Sequence, residues 1–204
     1  SSAVPKPTLS EISYGKHDRN VLDFWKAQSD SPTPVAFVIH GGGWKGGSKE
    51  RFADPNALLK AGISVVAINY RYVTSTEKPP VKAPLYDAAR ALQFVRSKAK
   101  AWNLDKKRIG AAGGSAGACS SLWLAFHDDL ANPKSKDPVA RESSRLSCAS
   151  VIGAQTTLDP KQMVERTPNS RYGGHAFGLG SFADFLKQRE KILQIGRASC
   201  RARV

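Results

Sequence analysis

The sequence has little of what announces a specialised class. No apolar run approaches the roughly 18 residues of a membrane span, so no transmembrane helix is expected. Cysteine is confined to Cys119, Cys148 and Cys200, an odd number at wide spacing, which argues against a disulfide framework and offers no zinc-ligand pattern. Internal repeats and low-complexity tracts are absent, which excludes a solenoid or an array. Acidic residues are scarce, 17 Asp and Glu against 31 Lys and Arg, for a formal charge of +14. Such an excess raises nucleic acid as a partner. The cations are scattered, however, through stretches such as KSKAKAW, DKKRI and KSKDPVARESSR, with no RNP-like aromatic motif or sustained basic helix. A solvated basic surface and no nucleic-acid partner are expected. The opening SSAVPKPTLSE lacks a basic n-region, an apolar h-region and an initial methionine. The compartment therefore stays open, with a secreted or periplasmic location following if a leader has been removed.

What is present is an ordinary globular composition. The 204 residues are 41% hydrophobic and 24% charged, enough for one domain with a substantial core and short for two. NVLDFWKA (20–27) reads as an early strand, and VAFVIHG (35–41) and ISVVAINYR (63–71) as strands buried on both faces. SKERFADPNALLKAG forms a helix broken or started by Pro55 and closed by Gly62. Residues 83–103 place apolar side chains at 85, 88, 89, 92, 95 and 99, a helical period with Pro84 near its start. RIGAAGG (108–114) is a further strand, AGACSSLWLAFHDDLA (116–131) a helix, and SCASVIGAQ (147–155) another strand. This alternation predicts an α/β fold in three layers, a mostly parallel sheet covered by helices on both sides.

Beyond Thr156 the pattern loosens. Residues 156–193 hold helical pieces separated by Pro168 and several glycines, as in a lid or pocket wall. Residues 1–195 are taken as a single domain, and GRASCRARV (196–204), with three arginines and no apolar period, as a tail of doubtful nativeness.

Two glycine clusters carry the chemistry. Gly113, Ser115 and Gly117 form a G-x-S-x-G between a predicted strand and a predicted helix. That is the setting in which a nucleophilic serine is held on a strained turn, where larger neighbours would clash. The helix starting at Ala116 also brings free N–H groups and the positive end of its dipole to the serine. The second cluster, HGGGWKGG (40–47), follows the strand VAFVIH directly. Consecutive glycines there let backbone N–H groups turn toward a developing oxyanion. Gly42, Gly43 and Ala116 are the expected donors.

HGGGW at 40–44, AINYR at 67–71 and GGSAG at 113–117 together resemble the α/β-hydrolase superfamily, in the esterase branch with an HGGG loop. Hormone-sensitive-lipase-like carboxylesterases and bacterial acyl or feruloyl esterases are the most similar groups, and the resemblance covers roughly residues 20–155. It implies hydrolysis of a small-molecule carboxylic ester through an acyl-serine intermediate, with no metal or organic cofactor. It also implies that His40 braces the oxyanion loop and is not the base. Trp44 fits either the mouth of the pocket or the packing of the loop. A peptidase on the same fold, and a non-catalytic binding module that keeps the fold but not the triad, are the rival functions.

A serine needs a base, held by an acid, and in this superfamily the chain order is serine, acid, histidine. Only His127 and His175 follow Ser115. His127, 12 residues along the predicted helix, stands about 18 Å away at 1.5 Å per residue and cannot serve. His175 lies in the irregular segment, where with Tyr172 and Phe177 it is a candidate pocket residue. Asp159 could reach the sheet edge, whereas Asp184 reads as surface. The family pattern expects two further strands carrying the acid and the base, so the chain is expected to be truncated at its C-terminal end, its own activity impaired. Arg71 and Asp87 are expected to pair structurally, Cys119 to be a core residue, and Trp102, Trp123 and Phe126 to pack in the helix core.

Overall fold

A computed structural model describes residues 4–155 except 53, 74–75 and 78–79, together with Gln162 and Glu165. The elements run β1 (Leu9–Ser13), β2 (Val21–Trp25), β3 (Thr33–Ile39), a 3-10 turn (Lys49–Arg51), α1 (Asn56–Lys60), β4 (Ser64–Ile68), α2 (Lys82–Ser97), α3 (Ala99–Trp102), β5 (Leu104–Gly114), α4 (Ala116–Phe126) and β6 (Cys148–Ile152). The strands form one sheet in the order β1-β2-β4-β3-β5-β6. The β1/β2 and β2/β4 pairs are antiparallel, whereas β4, β3, β5 and β6 run parallel. The mostly parallel α/β sheet predicted from the alternation is thus present, with an antiparallel hairpin at one edge.

Register explains how the core divides. Phe37 pairs with Val66 on one side and Ala111 on the other, and Ile39 with Ile68 and Gly113. These residues and Val35 face the main core with α2 and α4, where Leu85, Ala88, Ala89, Leu92, Val95 and Trp123 are buried. Ala36, Val38, Val65 and Ala67 point the other way, toward Trp25, Phe52, Leu58 and Leu59. Side chains alternate across a strand, so a helix on each face makes three layers. The expectation that 35–41 is buried on both faces holds only in part: Val35, Phe37 and Ile39 are buried but Ala36 and Val38 only half-buried, because α1 has only five residues with which to cover that face.

Other departures have local causes. β1 carries no clear sequence signal, since Glu11 sits at φ +54° and the pairing with β2 is irregular between Leu9 and Ile12. The helix predicted over 83–103 breaks at Lys98 into α2 and α3, and Asn103 ends it in the left-handed conformation. The helix predicted through Ala131 stops at Phe126. Asp129 there turns its carboxylate onto the N–H groups of Ala131 and Ser144 instead, a short-side-chain alternative to helical bonding. Phe126, expected in the core, is 47% exposed, on the last turn where no element covers it among the described residues. Trp102, Trp123 and Cys119 are buried as expected, and burial pushes the Cys119 thiol up to about 12. Among the described residues, no helix is long and apolar enough to cross a membrane.

Candidate active site

Ser115 is placed by the junction of β5 and α4. Its backbone has φ +53° and ψ −120°, a conformation that L residues adopt only under constraint, and strain of this kind concentrates at functional sites. The constraint is visible. Ser115 N donates to Ile152 O at 3.0 Å, and Cys119 N to Ser115 O at 3.0 Å. The turn is tight because its flanking residues have no side chain. A Cβ on Gly117 would stand 2.0 Å from Ile39 O, and one on Gly113 2.5 Å from Gly117 C. The hydroxyl is left on an exposed residue and has no hydrogen-bond partner among the described residues. Ala116, next in the chain, is buried at the first turn of α4, where its N–H has no intrahelical acceptor.

The glycine loop meets this turn. A Cβ on Gly41 would lie 2.8 Å from Gly114 O and 3.5 Å from Ser115 Cβ, so the two motifs, far apart in sequence, share one edge of the sheet. Gly42 and Gly43 follow at φ +111° and +61°. The carbonyl of Gly42 closes the loop by accepting Lys45 N at 3.0 Å and Gly46 N at 3.1 Å. Gly42 tolerates no side chain, since a Cβ would be 2.1 Å from Gly46 O.

His40 and Trp44 hold the loop from beneath. The His40 ring stacks on Tyr70 at 4.2 Å, and its Nδ1 is 2.7 Å from Gly41 O. A carbonyl only accepts, so Nδ1 carries the proton. Burial, the largest influence, lowers the His40 pKa to about 4, and the neutral ring then presents Nε2 as a bare acceptor that is buried and unpartnered. Trp44 has no exposed surface. Its indole N–H donates to Ser120 Oγ at 3.0 Å, and Ser120 Oγ donates in turn to Ala116 O at 2.9 Å. Of the two positions the sequence allowed for Trp44, the structure shows packing of the loop against α4 rather than the mouth of a pocket.

The remaining sequence candidates separate. His127 caps the far end of α4, against Trp123 and Tyr86. Arg71 and Asp87 pair as expected, with Arg71 Nη2 2.8 Å from Asp87 Oδ1; Asp87 also accepts Asn20 Nδ2 at 2.8 Å. His175, Tyr172, Phe177, Asp159 and Asp184 lie outside the described residues, as do nearly all of 156–193 and the tail. One cluster went unforeseen. Glu11, Asp23 and Glu50 converge closely enough to hold a metal ion, but the Lys49 ammonium sits among them, 2.9 Å from Asp23 and 2.8 Å from Glu50 and in contact with Glu11. Burial disfavours that ammonium, yet its hydrogen bonds to the three carboxylates hold its pKa above the ordinary lysine value. The lysine supplies the positive charge a metal would bring.

Comparison with known proteins agrees with this geometry. The family model of BD-FAE matches residues 22–183. The probable carboxylic ester hydrolase LipM of Mycobacterium tuberculosis is 37% identical over 122 residues, 57% of this chain and 28% of that protein. The acetylxylan esterase of Xylanibacter ruminicola is 27% identical over 184 residues, 82% of this chain and 38% of that one. The chain thus spans well under half the length of both. Among solved structures, the acetyl ester-xyloside bifunctional hydrolase of Caldicellulosiruptor lactoaceticus superposes with a TM-score of 0.64 at 30% identity, covering 78% of this chain and 61% of that one. With the family model running through both glycine loops and the strands that carry them, the chain has the α/β-hydrolase fold and belongs to the BD-FAE family.

Proposed function

We propose that this chain carries the nucleophile and oxyanion hole of a serine hydrolase acting on carboxylic esters. Ser115 Oγ attacks the ester carbonyl and its proton passes to a base. The carbonyl oxygen, negative in the tetrahedral intermediate, accepts from the N–H groups of Gly42, Gly43 and Ala116, beside the positive end of the α4 dipole. Collapse expels the alcohol with a proton and leaves an acyl-serine, which water hydrolyses to the acid and free Ser115. His40 is not the base, because its Nδ1 proton is held by Gly41 and its ring is buried beneath the loop. The base is a histidine oriented by an acid, and neither role is assigned to a described residue.

One observation carries the proposal: the left-handed Ser115 turn stands against Gly41 of the HGGG loop, which a packing turn alone does not require. The names of relatives favour an acetyl ester on a xylose-based saccharide as substrate class. The test is release of p-nitrophenol from its acetate, and of acetate from acetylated xylo-oligosaccharides, by the wild-type chain and Ser115→Ala. Loss of the Ser115-dependent part of the rate is expected for the variant. Equal rates would overturn the proposal.

A further inference from the structure

The oxyanion loop is anchored at its start through the Tyr70 hydroxyl, which donates to His40 O at 2.8 Å, and in its middle by Val73 N, which donates to Trp44 O at 2.9 Å. Both anchors come from the exit of β4. The end of the loop is held differently. The Gly47 carbonyl accepts from Tyr72 Oη at 2.6 Å and from Arg19 Nη2 at 3.1 Å. The same guanidinium donates through Nε to Tyr70 O at 2.8 Å, and its central carbon lies 3.9 Å from the centre of the Tyr72 ring. Arg19 belongs to the turn between β1 and β2, so it alone ties that antiparallel hairpin to the loop among these anchors. Gly47 itself is at φ +91°, and a Cβ there would stand 2.8 Å from His40 Nδ1. Its carbonyl is the point at which the loop's last bend is fixed.

We infer that Arg19 and Tyr72 are positioning residues for the oxyanion hole: they clamp the Gly47 carbonyl and thereby set where the N–H groups of Gly42 and Gly43 point. This rests on the proposed role of those groups. The planar guanidinium is essential to the clamp, because it makes two directed bonds while its central carbon sits over an aromatic ring. A lysine ammonium keeps the charge but cannot do all three. Small displacements of preorganised donors are costly, about 10²-fold in rate for an ångström, so the clamp acts on the reaction without touching substrate.

The test compares wild type, Arg19→Lys and Tyr72→Phe, with Arg108→Lys, an exposed residue of β5, as control. Two readouts are taken: hydrogen exchange of the 41–47 segment by mass spectrometry, and the rate at which a fluorophosphonate labels Ser115. Both clamp variants should raise exchange within 41–47 about tenfold and slow labelling about tenfold, with exchange in α2 and in the control unchanged. Wild-type rates in both readouts, or faster exchange throughout β3, β5 and α2 alike, would overturn the inference. A wild-type chain that does not label would remove the esterase proposal, and exchange at 41–47 would then decide by itself whether Arg19 and Tyr72 hold the loop.

Discussion

At the scale of single residues, His40 shows how the loop's support carries a pH dependence. The ring stacks on Tyr70 and is only 6% exposed, so burial lowers its pKa from 6.5 to about 4. Between those values the unfolded chain binds a proton that the folded chain refuses. The contribution is fully present above pH 6.5 and is lost as pH falls toward 4. It amounts to roughly 3 kcal/mol at 1.36 kcal/mol per pH unit. Urea unfolding followed from pH 7 to 4 should show this loss, and His40→Gln should flatten the slope over the same window; an unchanged slope would place the titration elsewhere. His40 and Ser115 were both legible in the sequence because glycine neighbours mark them. The Arg19 clamp was not. Its partners lie 28 and 51 residues away, and nothing in GKHDRN distinguishes that arginine from a surface cation.

Elements were legible where burial imposes a period. VAFVI and SVVAI give β3 and β4, and apolar spacing gives α2, because those residues must face a core. β1 escaped, since a bulged edge strand hides its alternation, and the end of α4 was overrun, since Asp129 forms its local bonds only once the 129–144 loop is in place. The β5–α4 junction is the element most sensitive to added volume. Gly117 packs directly against the backbone of β3, where a methyl would fall 2.0 Å from Ile39 O, and backbone cannot rotate aside. Gly117→Ala should cost about 3 kcal/mol by forcing α4 off the sheet. Denaturant unfolding measures this, and a cost under about 0.5 kcal/mol would mean that the helix does not approach β3 so closely.

Across the whole molecule, one buried polar network joins the hairpin, the exit of β4 and α2. Asp87 on α2 accepts Asn20 Nδ2, Arg71 N and the Arg71 guanidinium. Asn20 also donates to the Tyr14 hydroxyl, which in turn donates to Asn69 O. Asp87→Ala would remove the acceptor of Arg71 N and of one Asn20 Nδ2 proton and break the Arg71 ion pair to it, at a cost of about 3 kcal/mol in thermal or urea unfolding; a neutral variant would show the network to be dispensable. By bracing Asn69, Tyr70 and Arg71, this network supports the segment on which the HGGG loop rests, and so links the antiparallel hairpin to that loop. Ser115 and the glycine loop themselves meet because β3 and β5 are parallel neighbours, with Ile39 opposite Gly113. The most direct test of the account is the mass of the chain after reaction with a fluorophosphonate, with the modified peptide located by fragmentation. A single adduct on Ser115, absent from Ser115→Ala, is predicted; an unmodified chain, or an adduct on another residue that survives Ser115→Ala, would contradict it.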